Sequence, residues 1–117
     1  MVRPLFEVSA MTKPIKYYDP VFKAEVELSF DVLEGKFSAY TDTVETVSFK
    51  GKNEIRRIKY VVRLANRKDF YGLLHECVHL VKAIFRDRGI PFTGENDEVI
   101  AYYMNFWFVI LWRGCHK

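Results

Sequence analysis

Between Lys23 and Val32 the chain alternates without interruption: Ala24, Val26, Leu28, Phe30 and Val32 fall on one side, Lys23, Glu25, Glu27, Ser29 and Asp31 on the other. A period of two predicts a strand with one buried face. Glu34-Gly35-Lys36 supplies a turn, Phe37 to Thr41 reads as the returning strand, and Val44 to Phe49 adds another, closed by the turn Lys50-Gly51-Lys52-Asn53. Arg57 to Leu64 alternates again, setting Ile58, Tyr60, Val62 and Leu64 against Arg57, Lys59 and Arg63. A helix from near Asn53 competes there, since Ile55, Ile58 and Val62 also have helical spacing, but the frequent β-branched residues favour a strand. Leu5 to Val8 suits a further short edge strand.

After Ala65-Asn66-Arg67-Lys68 the period becomes helical. Asp69 is placed to cap, and Phe70, Leu73, Leu74, Cys77, Val78, Val81, Ile84 and Phe85 make a broad apolar surface down to Arg88, where Gly89 stops the helix. Asn96 caps a second helix, roughly Asp97 to Trp112. The expected fold is therefore α+β in a single domain spanning 1–117: an antiparallel, twisted sheet of about four strands in residues 1–64, a helix over 69–88 packed on it, and a C-terminal helix over 97–112.

The chemistry-bearing stretch is His75-Glu76-Cys77-Val78-His79, in the middle of the first helix. Four residues turn a helix by about 400°, so both imidazoles share a face and can reach one metal ion. Glu76, about 100° round from His75, can touch a metal-bound water without being a ligand. A catalytic zinc needs a third protein ligand and an open position. Of the downstream acids, Asp87 is displaced along the same helix, whereas Glu98 lies in the first turn of the next and an antiparallel return could bring it beside the histidines. Glu95 and Asp97 are alternatives. The bland reading of the two histidines is a solvated polar patch; the pair, its neighbouring carboxylate and the mid-helix position favour metal. No residue stands out as the stabiliser of an oxyanion; Tyr102, Tyr103 and His116 are weak candidates, better read as core and tail.

Composition narrows the alternatives. At 117 residues with 50 % apolar and 16 % aromatic residues, the chain suits one folded domain, and a net charge of +3 gives no strong case for nucleic acid. Arg56, Arg57, Lys59, Arg63, Arg67 and Lys68 form one acid-free basic segment, whose simplest reading is a solvated strand face. Two cysteines make no disulfide framework; Cys77 points away from the histidine face into the core, and a reducing, cytoplasmic setting is the default. Val99 to Trp112 is apolar or aromatic except for Asn105, yet too short to span a bilayer, so core or oligomer contact is expected of it.

Leu74-His75-Glu76-Cys77-Val78-His79-Leu80, the stop at Arg88-Gly89-Ile90, and Glu95-Asn96-Asp97-Glu98-Val99-Ile100-Ala101-Tyr102 together resemble the active-site and glutamate helices of gluzincin-type zinc metallopeptidases. More narrowly, the segment from Arg57 to Trp112 is similar to small bacteriophage-encoded HExxH proteins. The resemblance implies a minimal zincin-like fold with one zinc ion on His75, His79 and Glu98, Glu76 as general base, a peptide or protein substrate, and the cytoplasm of a bacterial host as setting. The gluzincin pattern often carries Asn before the ligand glutamate and Asp four residues after it; here Asp97 and Tyr102 stand in those places.

The leading expectation is thus a zinc-dependent metallopeptidase, with strand Arg57 to Leu64 aligning an extended substrate. A second is a non-enzymatic protein with a structural zinc site and an interaction surface of Phe106, Trp107, Phe108 and Trp112, through which copies could also associate. A third and weaker one is a nucleic-acid-associated protein using Arg56 to Lys68.

Overall fold

The computed structural model describes residues 13–30 and 39–116. Four strands, β1 (Ile15–Asp19), β2 (Ala24–Phe30), β3 (Ala39–Lys50) and β4 (Asn53–Leu64), are followed by helix α1 (Phe70–Asp87), a 3-10 turn (Gly94–Asn96) and helix α2 (Asp97–Cys115). The α+β class is as expected. The sheet, however, is mixed: its order is β1-β2-β4-β3, and β2 runs parallel to β4.

The strand order corrects several expectations. β3 does not return along β2; it forms a long hairpin with β4, from Ala39 opposite Leu64 to Lys50 opposite Asn53. The stretches expected as two strands, from Phe37 and from Val44, belong within the described residues to this one β3, and the competing helix from Asn53 is strand β4. Side-chain chemistry accounts for the order. Tyr60, Val61, Val62 and Leu64 are all buried, a run that suits an interior strand flanked on both edges. β3, rich in Thr, Asp and Glu, suits an edge. The Glu34-Gly35-Lys36 turn and the Leu5 to Val8 strand lie outside the described residues.

β1 was missed because Ile15–Asp19 is short, although Asp19-Pro20 is a turn signal. The Asp19 carboxylate accepts from the amides of Val21 (2.9 Å) and Phe22 (3.3 Å) and from the Tyr103 hydroxyl (2.7 Å), which explains how an acid only 3 % exposed is tolerated. At the β3–β4 turn Gly51 has φ +65°, the conformation a two-residue hairpin loop needs at its first position.

In α1 the Asp69 side chain accepts from the Gly72 amide at 2.9 Å, as expected of a cap. The helix ends in a Schellman motif: the Gly89 amide bonds Arg86 O (3.2 Å), the Ile90 amide bonds Phe85 O (2.9 Å), and Gly89 takes φ +68°. Asn96 behaves differently from expectation, because its side-chain amide donates to Pro91 O (2.7 Å) and makes no cap bond. α2 runs three residues beyond the expected end, to Cys115.

One apolar layer joins sheet and helices. Ala24, Val26 and Leu28 of β2 and Tyr60, Val62 and Leu64 of β4 meet Leu73, Cys77, Leu80, Val81, Ile84 and Phe85 of α1 and Tyr103, Trp107 and Leu111 of α2. Arg88 fastens the end of α1 to the β1–β2 turn, donating to Phe22 O (2.6 Å) and Lys23 O (2.7 Å). α2, for which core or oligomer contact is expected, puts one face into the core and leaves Val99, Tyr102, Phe106 and Val109 exposed. No helix among the described residues is long and apolar enough to cross a membrane.

Ion pairs account for much of the basic segment. On the far face of the sheet Arg57 pairs with Glu25 and Lys59 with Glu27 (3.1 Å); Arg56, on the other face near the β3–β4 turn, pairs with Glu45 (2.9 Å) and Glu54 (2.6 Å). Arg67 stacks 4.0 Å over the Phe30 ring. Neighbouring acids thus answer Arg56, Arg57 and Lys59, three of the six charges of the segment.

α2 lies close to the sheet at Gly114, where a β-carbon would collide with the Tyr17 hydroxyl and come within 3.0 Å of Leu28 Cδ2. The Gly114→Ala variant should lose about 1–3 kcal/mol through this overpacking, outweighing the ~1 kcal/mol that alanine gains in a helix. Urea unfolding of the two proteins measures the difference.

Candidate functional site

α1 lies with Leu73, Cys77, Leu80, Val81 and Ile84 in the core, and this orientation decides where the three motif residues go. His75 and His79 reach the surface, while Glu76 is 5 % exposed. The two imidazoles converge, with Nε2 to Nε2 at 3.1 Å. Glu76 is turned under edge strand β3, where its Oε1 accepts from the Thr41 hydroxyl at 2.9 Å. The same hydroxyl lies 3.2 Å from the Glu76 carbonyl oxygen, so its single proton is held at that residue in either position.

These side chains line a cleft of about 720 Å³ between α1 and β3. Ala39, Tyr40, Thr41 and Thr43 form the strand wall, and His75, Glu76, His79, Lys82 and Arg86 form the helix wall. Ile90 and Phe92 close one end from the interhelical connection. β3 is paired with β4 alone among the described strands, so its other edge presents backbone amides and carbonyls beside the histidines.

The histidine pair fits a zinc ion. Two Zn–N bonds of about 2.0–2.1 Å at the tetrahedral angle separate their nitrogens by about 3.3 Å, close to the 3.1 Å observed. A hydrogen bond between two neutral imidazoles has the same spacing. Among the described residues no three His, Cys, Asp or Glu side chains gather into a metal-holding group. Glu98 is exposed in the first turn of α2, and neither it nor Glu95 or Asp97 lines the cleft. The weak oxyanion candidates also lie elsewhere: Tyr103 is bonded to Asp19, Tyr102 is 72 % exposed on α2, and the His116 ring packs on Trp112.

Two groups escaped the sequence reading. Thr41 is 35 residues from Glu76 and carries no motif; only the β3–β4 register and the placement of α1 bring it there. Lys82 and Arg86 could have been found, since they continue the helical spacing of His75 and His79 along one face. Strand Arg57 to Leu64, expected to align a substrate, is flanked by β2 and β3 from Lys59 onward and has no open edge there; β3 holds that position.

Cys77 occupies the core as expected, fully buried on the opposite side of α1 from the cleft. Burial, with a smaller contribution from the Glu76 charge, pushes its thiol up to about 12. No family model, curated protein or solved structure matches the chain.

The native Cys77 thiol keeps its proton to about 12, whereas an unfolded thiol loses it near 9.0. Its contribution to stability is thus complete below about pH 9 and lost as the pH rises toward 12, by at most about 1.4 kcal/mol per pH unit. Urea midpoints should drop between about pH 8 and about pH 10.5, and drop less in Cys77→Ala, each protein being compared with itself.

Proposed function

We propose that the protein is a zinc-dependent metallopeptidase of the gluzincin type, a minimal one in which the cleft between α1 and β3 receives an extended peptide. The observation that carries this reading is the convergence of His75 and His79 at 3.1 Å beside a buried Glu76, in a cleft walled by β3, an edge strand among the described residues. His75 and His79 would hold the metal; Glu98, the third ligand expected from its sequence position, lies outside the cleft and would join them only if the start of α2 moved toward it. When bound, zinc supplies a Lewis acid that lowers the pKa of water and polarises a carbonyl.

The chain's own residues supply the remainder. The β3 edge at Thr41 to Thr43 can bond a substrate backbone as an added strand, which holds the scissile carbonyl over the histidines. Glu76 takes a proton from the attacking water and returns it to the leaving amine as the C–N bond breaks. Thr41 fixes which way the Glu76 carboxylate faces, as an outer hydrogen bond to a catalytic group commonly does. Lys82 places a positive charge at one end of the cleft and favours an acidic side chain there, whereas the Arg86 guanidinium beside it is paired with Asp87 at 3.0 Å.

A non-enzymatic zinc protein acting through Phe106, Trp107, Phe108 and Trp112 is less well supported. Trp107 is 1 % exposed, and Phe108 and Trp112 are half-buried with Phe70 edge-on against them, leaving Phe106 the most exposed of the four. Pairing of Arg56, Arg57 and Lys59 with acids likewise weakens a nucleic-acid role.

Metal analysis of the purified protein should find about one zinc per chain, and His79→Ala should lose it while remaining folded. Glu76→Gln should keep zinc yet hydrolyse a peptide library about 10²–10⁴-fold more slowly. Absence of zinc from a metal-supplemented preparation, or unchanged hydrolysis in Glu76→Gln, would refute the proposal; unchanged zinc affinity in Glu98→Ala would remove Glu98 from it.

Thr41→Val keeps the side-chain shape and deletes the hydroxyl. Its kcat should fall about 10–100-fold with zinc content and KM little changed. An unaltered kcat would show that Glu76 is positioned without Thr41.

A further inference from the structure

α2 carries two apolar faces. Tyr103, Trp107, Leu111 and Cys115 enter the core, whereas Val99, Tyr102, Phe106 and Val109 stand 45 %, 72 %, 43 % and 36 % exposed. The exposed set recurs at alternating steps of three and four, the spacing of a helix-pairing seam. Continuing that spacing outward by four reaches Glu95 in the 3-10 turn at one end and Arg113 in the last turn of α2 at the other, both exposed.

The stripe is symmetric about Met104. Laid antiparallel on a copy of itself, it sets Val99 against Val109, Tyr102 against Phe106 and Glu95 against Arg113, each pairing occurring twice. Charges and apolar side chains are both self-complementary in this orientation, as a twofold interface requires. In a parallel pair Glu95 would face Glu95 and Arg113 would face Arg113. Antiparallel alignment also sets the positive end of each helix beside the negative end of the other. Next to the seam, the β1–β2 turn adds Val21, 79 % exposed, and an open apolar depression lined by Val21, Phe22, Val99, Tyr102 and Phe106.

We propose that this face of α2 is a homodimer interface in which two copies of the chain pair their α2 helices antiparallel, centred on Met104. The proposal does not depend on zinc or on peptidase activity.

Sedimentation equilibrium of the full chain tests it. The wild type should show twice the 13.9 kDa chain mass, and Phe106→Glu should be monomeric with an unchanged circular dichroism spectrum. Glu95→Arg and Arg113→Glu should each raise the dimer dissociation constant on the order of tenfold, because two exposed pairs change from attraction to repulsion. The Glu95→Arg/Arg113→Glu double variant should restore it. A monomeric wild type, a dimer that survives Phe106→Glu, or single charge reversals without effect would overturn the proposal.

Discussion

Burial of one face of α1 against β4 is the constraint on which the rest of the molecule depends. Leu73, Cys77, Leu80, Val81 and Ile84 can leave water only if the helix lies in one rotation about its axis against Tyr60, Val62 and Leu64. That rotation leaves His75 and His79 on the surface and carries Glu76, about 100° away, to the boundary between core and cleft. A buried carboxylate is costly without a partner, and the edge strand provides one in the Thr41 hydroxyl. The apolar periodicity of α1 and the polar geometry of the site are thus one arrangement seen from two sides.

The sheet order follows from the same need to cover apolar surface. β4 buries residues toward both faces and takes an interior place, so β3, with its threonines and acids, becomes the edge. The consequence is a cleft whose wall is a ladder edge unpaired among the described residues, the feature an extended ligand can use. On the opposite face β2 brings Glu25 and Glu27 alongside Arg57 and Lys59, and what looked in the sequence like a bare basic patch becomes a set of cross-strand pairs. Such exposed pairs add little stability individually, but they settle which charges remain available to a partner.

α2 shows what composition leaves open. A segment apolar nearly throughout suggests core or oligomer contact, and a small domain has only one core to offer it. Trp107 takes that place, edge-on to Tyr17, and the residues displaced from it by a third of a turn remain in water. The proposed pairing of two copies would give that second face a partner without altering the first.

Local periodicity made β2, the end of β4, both helices and the caps at Asp69 and Gly89 legible in the sequence, because each depends on neighbours a few residues away. The convergence of His75 and His79 was legible for the same reason, being a property of helical pitch. β1, the parallel pairing of β2 with β4 and the edge position of β3 were not, since a strand's partners are chosen by competition among distant segments for cover. Thr41 beside Glu76, Arg57 beside Glu25, and Glu98 away from the cleft belong to that second kind. The sequence by itself determined which residues could share a face; only the tertiary structure decided which faces met, because burial is settled over the whole chain at once.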